Sequence, residues 1–131
     1  MKSALLFSLF LACGVNGSVQ AKDTVTQVPV HFAKGASSAE LKGRFSGYDS
    51  VRYTLGAKAG QSMTVRIQGS RNANFNVFAP GASTALGGGS VGSDWSAVLP
   101  DSGEYRIEVY QMRASARRGE KVEYSIEFRV K

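Results

Sequence analysis

Two arginines four residues apart are the clearest candidates for chemistry in this sequence. Arg113 and Arg117 lie in the segment 111–120, which joins two strongly alternating stretches and is longer than a tight hairpin requires. Ala114 and Ala116 favour a helical turn, and residues four apart on a helix project from the same side. Two guanidinium groups presented together can grip a pair of carboxylates through bidentate hydrogen bonds. The pattern favours a binding site for acidic groups, with a merely solubilising basic loop as the alternative.

A second candidate segment, 99–105, reads Leu-Pro-Asp-Ser-Gly-Glu-Tyr and leads from a turn into a strand. Pro100 and Gly103 are typical turn residues, and the Ser102 hydroxyl can bond either the local backbone or a partner. Tyr105 begins an apolar strand face, where a tyrosine can instead anchor the corner of a β-sandwich. A structural and a binding interpretation are both open for Ser102 and Tyr105.

The groups that an enzyme needs are sparse. His31 is the only histidine, in a strand-like stretch with no second histidine for a metal site or a catalytic triad. The acidic residues are scattered, and no pair has a spacing that marks an acid and base couple. The glycine-rich tract 87–92 lacks the following helix that a phosphate-binding loop needs, so we interpret it as a flexible connection between strands. The sequence predicts a binding protein that is not an enzyme and uses no cofactor and no metal.

Alternation of apolar and polar residues along the chain indicates β-strands that would position these segments. The pattern is clearest at 121–131, where every second residue from Val122 to Val130 is apolar. The other candidate strands lie around 28–32, 41–45, 51–55, 63–67, 75–78, 95–99 and 104–109. About eight strands separated by Gly, Ser, Asn and Pro clusters predict an all-β fold, an antiparallel sandwich of two packed sheets with no significant helix.

The first 21 residues have the form of a secretory signal peptide. Lys2 precedes an apolar run at 4–12 that is too short to span a bilayer, and small residues follow it. Cleavage after Ala21 would leave 22–131 as an exported single domain, with no membrane attachment. The alternative is a lipoprotein anchored through Cys13, whose surroundings partly resemble a bacterial lipobox.

The predicted mature chain is basic. The sequence has 16 Lys and Arg and 10 Asp and Glu, and losing Lys2 with the signal peptide leaves 15 minus 10, a net charge of +5. Basic and acidic residues alternate, as at Glu104, Arg106 and Glu108, instead of forming one basic stripe. This alternation is typical of a solvated sheet face and disfavours nucleic acid as a partner.

These segments together resemble the bacterial periplasmic inhibitors of goose-type (g-type) lysozyme, which are small β-sandwich proteins. The resemblance covers nearly all of the mature chain. It rests on Val-His-Phe-Ala-Lys-Gly at 30–35, Gly47-Tyr48-Asp49, Ala-Lys-Ala-Gly-Gln at 57–61, the Ser-Gly-x-Tyr element at 102–105 and the loop 111–117. It implies that the partner is g-type lysozyme, whose substrate cleft a protruding edge carrying Ser102, Arg113 and Arg117 would occlude.

The resemblance also implies roles for individual residues. The lysozyme-binding positions it implies are Tyr48, Asp49, Ser102, Gly103, Tyr105, Arg113 and Arg117. The two arginines would pair with acidic or carbonyl groups of the cleft, Ser102 would bond near the catalytic glutamate, and Tyr48 would supply an aromatic contact. Lysozymes are commonly basic, so local complementarity at the cleft has to outweigh the repulsion between two basic proteins.

A second resemblance leads to a function of another class. The stretches 57–61 and 99–105 also resemble the pre-peptidase C-terminal domains of secreted enzymes. This likeness implies a non-catalytic module that binds the cell wall or a glycan.

Overall fold

The structure is a computed structural model that describes residues 23–131, which form two β-sheets packed face to face. The signal peptide predicted at 1–21 and the lipoprotein alternative at Cys13 lie outside the described residues. Within the described range the elements are β1 Val25–Pro29, β2 Ser38–Ser46, β3 Ser50–Ala57, β4 Ser62–Gly69, β5 Asn74–Phe78, β6 Gly87–Ser90, β7 Trp95–Val98, β8 Gly103–Tyr110, α1 Arg113–Arg117 and β9 Lys121–Val130. The predicted all-β sandwich is confirmed.

The strands divide into a five-stranded sheet, β1-β3-β8-β5-β6, and a four-stranded sheet, β2-β9-β4-β7. Neighbours are antiparallel in both sheets, with one exception that the sequence did not predict. The first strand, β1, runs parallel to β3, with Val25 beside Ser50. The Ser50 amide donates to the Thr24 carbonyl oxygen at 3.0 Å, so both strands start at the same end of the sandwich.

The core lies between the sheets and is built from the alternating apolar residues. Phe75, Ile107 and Phe128 are among the fully buried side chains, and burying a side chain of this size contributes about 1.5 to 3 kcal/mol. Tyr53 on β3 and Tyr124 on β9 join the two sheets through a 2.7 Å hydrogen bond between their hydroxyl groups. Burial raises the pKa of both phenols. The neutral pair is therefore part of the core at neutral pH.

The glycine-rich tract is the clearest departure from the expected structure. The sequence predicts a flexible connection at 87–92, but residues 87–90 of this tract form strand β6 on the edge of the five-stranded sheet. A Cβ atom on Gly89 would lie 2.8 Å from the Phe75 ring, and one on Gly88 would meet the Phe75 carbonyl oxygen. The glycines therefore let β6 approach β5 closely, which a strand with larger residues could not do here.

The two ends of the sandwich carry different connections. The turn 47–49, the turn 70–73 and the segment 111–120 lie at the end where β3 begins and β8 finishes. At the opposite end, the Lys131 amide donates to the Ser62 carbonyl oxygen at 3.0 Å.

Helix α1 has five residues, and within 23–131 no helix is long and apolar enough to cross a membrane.

Candidate protein-binding site

Helix α1 presents the two arginines as their spacing predicted. Arg113 and Arg117 are its first and last residues, and both are exposed. Ala116, 3% exposed, packs the helix onto the domain, and its amide donates to the Met112 carbonyl oxygen at 2.9 Å. Residues four apart on one turn have Cβ atoms about 5 to 6 Å apart. Within 23–131 neither arginine forms an ion pair, so both guanidinium groups can take a partner's carboxylate.

The neighbouring Arg118 differs because it is held against its own chain. Its Nε donates to Oε2 of Glu120 at 2.7 Å, and its guanidinium also reaches the Ser115 hydroxyl at 3.5 Å. The bond from Arg118 holds the pKa of the Glu120 carboxyl below its usual value. Arg118 therefore shapes the loop and neutralises Glu120, leaving Arg113 and Arg117 as the outward cations of α1.

Gln111 connects this segment to the turn 47–49. The side chain is 6% exposed, and its Nε2 donates to the Gly47 carbonyl oxygen at 3.0 Å and to the Glu120 carbonyl oxygen at 2.8 Å. Its Oε1 accepts a bond from Nδ2 of Asn72 at 2.7 Å. Buried polar groups are costly unless they are hydrogen-bonded, and this amide is bonded on every side. Gln111 thus holds the two segments in a fixed relation.

The turn 47–49 places Tyr48 beside the arginine segment. The Gly47 amide donates to the Glu120 carbonyl oxygen at 3.1 Å, and the Tyr48 side chain is 51% exposed. The carboxylate of Asp49 accepts a bond from the Thr24 amide at 2.8 Å, so it anchors the start of β1. We call the turn 47–49 and the segment 111–120 together the tip. Tyr48, Arg113 and Arg117 are exposed on it.

Ser102, Gly103 and Tyr105 lie in a different place and form a structural corner. The Tyr105 ring is fully buried, and its hydroxyl donates to the Asp101 carbonyl oxygen at 2.6 Å and accepts from the Asp101 amide at 3.1 Å. The Ser102 hydroxyl oxygen accepts a bond from the Ala59 amide at 2.8 Å. Gly103 has a φ of 145°, and a Cβ atom there would lie 2.9 Å from Pro80. This geometry matches the structural interpretation of the segment.

The single edge expected to carry Ser102 with both arginines does not exist in this fold. Strand β8 lies between them, with Gly103 opposite Ala57 at one end and Val109 opposite Val51 at the other. Eight extended residues span about 25 Å. The structure therefore brings Tyr48, Arg113 and Arg117 together and leaves Ser102 at the opposite end of the sandwich.

The sequence analysis did not identify Gln111 and Asn72 as the residues that hold the tip together. For Gln111, however, the sequence contains a pattern that predicts its burial. Tyr105, Ile107 and Val109 alternate inward along β8, and Gln111 continues that period by one more step, into a buried position. A polar residue at an inward position predicts a satisfied hydrogen-bond network. No comparable pattern singles out Asn72.

Within 23–131 no cluster of three or more His, Cys, Asp or Glu side chains could hold a metal ion.

Comparisons with known proteins place the chain in a family. No family model matches it. A curated relative, the inhibitor of g-type lysozyme from Escherichia coli, is 33% identical over 98% of this chain and 90% of its own length. The chain belongs to the family of g-type lysozyme inhibitors. A solved structure of a periplasmic g-type lysozyme inhibitor, from Aeromonas hydrophila, is 59% identical with a TM-score of 0.81, covering 84% of this chain and all of its own.

The fold is also shared outside the g-type lysozyme inhibitors. The pre-peptidase C-terminal domain of a Bacillus anthracis collagenase has a TM-score of 0.52 and 12% identity, covering 86% of this chain and 99% of its own. At that identity the likeness extends to the fold alone. The second resemblance noted in the sequence therefore has a structural counterpart, while the likeness to the lysozyme inhibitors extends to the sequence as well.

Proposed function

We propose that this protein is a periplasmic inhibitor of g-type lysozyme and that its tip enters the enzyme's substrate cleft. The observation that carries the proposal is that Tyr48, Arg113 and Arg117 are exposed on two segments locked together by Gln111, in a chain of the lysozyme inhibitor family. A periplasmic location agrees with the relatives, whose solved structures are described as periplasmic inhibitors. The protein acts by binding and carries out no reaction of its own.

The chemistry of the tip suits a cleft lined with acidic groups. Each guanidinium can bond a carboxylate through two parallel N–H···O contacts, which fixes orientation as well as charge. Truncating one partner of such a desolvated pair costs about 2 to 5 kcal/mol. Two arginines on one helical turn can therefore supply much of the binding free energy.

The tip also has the apolar groups that protein interfaces use. Tyr48 and Met112 are two of the large hydrophobic residues that remain exposed in 23–131; Met112 directly precedes α1, and Tyr48 lies in the turn 47–49. Aromatic residues and arginine are the side chains most often found at the centre of an interface, where they exclude water around the charged contacts. The proposed contact surface thus has a composition suited to tight binding.

The overall charge of the protein opposes this mode of binding. A net charge of +5 after loss of the signal peptide slows the approach to another basic protein. Short-range pairs are less screened by salt than the long-range repulsion between the two molecules. Moderate salt should therefore speed association while leaving the contacts of Arg113 and Arg117 largely intact.

Ser102, Gly103 and Tyr105 have no contact role in this proposal. The hydrogen bonds of Ser102 and Tyr105, the burial of the Tyr105 ring and the positive φ of Gly103 account for a sandwich corner at the end away from the tip. Asp49 likewise serves the turn through its bond to the Thr24 amide. The proposed site therefore keeps three of the seven residues that the family resemblance implied.

A lysis assay tests the proposal directly. Purified residues 22–131 are titrated against goose-, chicken- and invertebrate-type lysozymes, and the clearing of a bacterial cell-wall suspension is followed. Inhibition of the goose-type enzyme at near-stoichiometric concentration is expected. Undiminished lysis by the goose-type enzyme would contradict the proposal. Sedimentation with insoluble peptidoglycan in the absence of lysozyme would instead favour the glycan-binding alternative.

A further inference from the structure

The turn 70–73 lies against the tip. Its strand β4 ends at Gly69 opposite Tyr124, close to the start of β9. The Ser70 amide donates to the Glu123 carbonyl oxygen at 2.9 Å, and the Ser70 hydroxyl accepts the Glu123 amide at 3.0 Å. The Ala73 amide closes the turn on the Ser70 carbonyl oxygen at 3.0 Å. Both ends of this short turn are therefore fixed.

Asn72 ties the turn to the residue that organises the tip. Its Nδ2 lies 2.7 Å from Oε1 of Gln111 and 3.3 Å from Oε1 of Glu120. Gln111 therefore contacts three connections at this end of the sandwich: 47–49, 70–73 and 111–120. The turn 70–73 has a fixed position relative to α1.

Arg71 occupies the exposed middle of this turn. The arginines of 23–131 separate into two groups by their ion pairs. Those paired with carboxylates are Arg52, Arg66, Arg106, Arg118 and Arg129. Those without an ion pair in this range are Arg44, Arg71, Arg113 and Arg117. Arg44 lies near the end of strand β2, opposite Glu123, whereas the other three lie on connections between strands, on α1 and the adjoining turn.

We propose that the turn 70–73 is a third part of the surface that contacts lysozyme, with Arg71 as a third basic contact for a carboxylate on the rim of the enzyme's cleft. This inference rests on the proposed function. An exposed arginine costs conformational entropy when a partner orders it, and a backbone anchored on both sides of Arg71 reduces that cost. Asn72 is the positioning residue, because it fixes the turn that carries Arg71.

The first experiment measures the dissociation constant for goose-type lysozyme by surface-based binding. Arg71→Ala is compared with the unaltered protein, with Arg113→Ala and with Lys58→Ala, which removes an exposed cation at the opposite end. We expect Arg71→Ala to weaken binding by about fivefold or more, and Lys58→Ala to leave it unchanged. Equal affinity of Arg71→Ala and the unaltered protein, with weaker binding by Arg113→Ala, would overturn this inference alone. No binding by the unaltered protein would instead remove the proposed function.

A second variant tests the positioning role of Asn72. Asn72→Ala removes the side-chain bonds to Gln111 and Glu120, and we expect it to weaken binding when Arg71 is present. In the Arg71→Ala background the same change should have a smaller effect, limited to what Asn72 contributes through Gln111, because the turn then has no charge to position. An equal loss in both backgrounds would show that Asn72 acts through Gln111 or general stability and not through Arg71, and would overturn its assignment as the residue that positions Arg71.

Discussion

The side-chain amide of Gln111 donates to the carbonyl oxygen of Gly47 at 3.0 Å, across 64 positions of sequence. The same nitrogen donates to the Glu120 carbonyl oxygen at 2.8 Å. One buried side chain therefore sets the distance between the turn that carries Tyr48 and the helix that carries the two arginines. Inhibition should depend on this amide even though it is hidden from any partner.

Replacing Gln111 with leucine should lower both stability and inhibition. The change leaves the carbonyl oxygens of Gly47 and Glu120 without this donor, at a cost of about 1 to 3 kcal/mol. We expect a lower midpoint of urea unfolding and weaker inhibition measured well below that midpoint. Gln68→Leu is the control, since Gln68 is an exposed residue of β4. Unchanged inhibition by folded Gln111→Leu would contradict the role of a rigid tip.

Removing either arginine of α1 should weaken inhibition without loosening the fold. Arg113→Ala or Arg117→Ala deletes an exposed guanidinium that has no ion pair within 23–131. We expect at least a tenfold rise in the inhibition constant, about 1.4 kcal/mol, and a nearly unchanged melting temperature. Lys58→Ala is the control, because Lys58 is an exposed cation that forms no ion pair within 23–131 and lies at the end away from α1. Full potency of both tip variants would exclude the arginine pair as the main contact.

Ser102→Ala should lower stability and leave inhibition unchanged, the reverse of the arginine variants. The Ser102 hydroxyl accepts the Ala59 amide at 2.8 Å, and a bond of this kind contributes about 0.5 to 1.5 kcal/mol. The variant should melt at a slightly lower temperature and inhibit lysozyme as well as the unaltered protein does. A large loss of inhibition at unchanged stability would assign Ser102 to the contact surface and contradict the arrangement proposed here.

Alkaline conditions should destabilise the domain through the two core tyrosines. Burial raises the pKa of Tyr53 and of Tyr124, and their hydrogen bond raises the pKa of Tyr124 further. The neutral phenols are favoured in the folded state, so this stability is fully present below the unfolded pKa of about 10 and is lost as the pH rises above it. The free energy of unfolding, measured in urea at pH values from about 8 to 11, should fall across this range because it spans the unfolded pKa.

The double variant Tyr53→Phe with Tyr124→Phe provides the comparison for this alkaline loss. It should show a flatter dependence of unfolding free energy on pH, since it lacks the two phenols of raised pKa. Equal slopes for the double variant and the unaltered protein would assign the alkaline loss to other groups, such as lysines.

The sequence predicted those parts of the fold in which local pattern and tertiary packing agree. The alternation from Val122 to Val130 and from Tyr105 to Val109 became β9 and β8 because each has one face in the core. The turn of α1 followed from Ala114 and Ala116. Strand β6 has no such pattern, since glycine has no side chain to alternate, and its position depends on contact with Phe75.

The site was only partly predictable for a related reason. Spacing within one helix placed Arg113 beside Arg117, because that relation is local. The separation of Ser102 from the arginines depends on the strand between them, and its length was already visible in the alternation from Tyr105 to Val109. Tyr48 and Arg71 lie near α1 because Gln111 bonds Gly47 and Asn72, which are distant from it in sequence. No local sequence pattern encodes such bonds.

The pairing of Lys131 with Ser62 has a practical consequence for anyone who immobilises the protein. Lys131 lies at the end away from Tyr48 and α1, so a tag or a chip linker attached after it leaves the tip facing solution. The Thr24 amide, in contrast, bonds Asp49 within the turn 47–49. An affinity tag fused immediately ahead of Asp23 would therefore begin close to that turn.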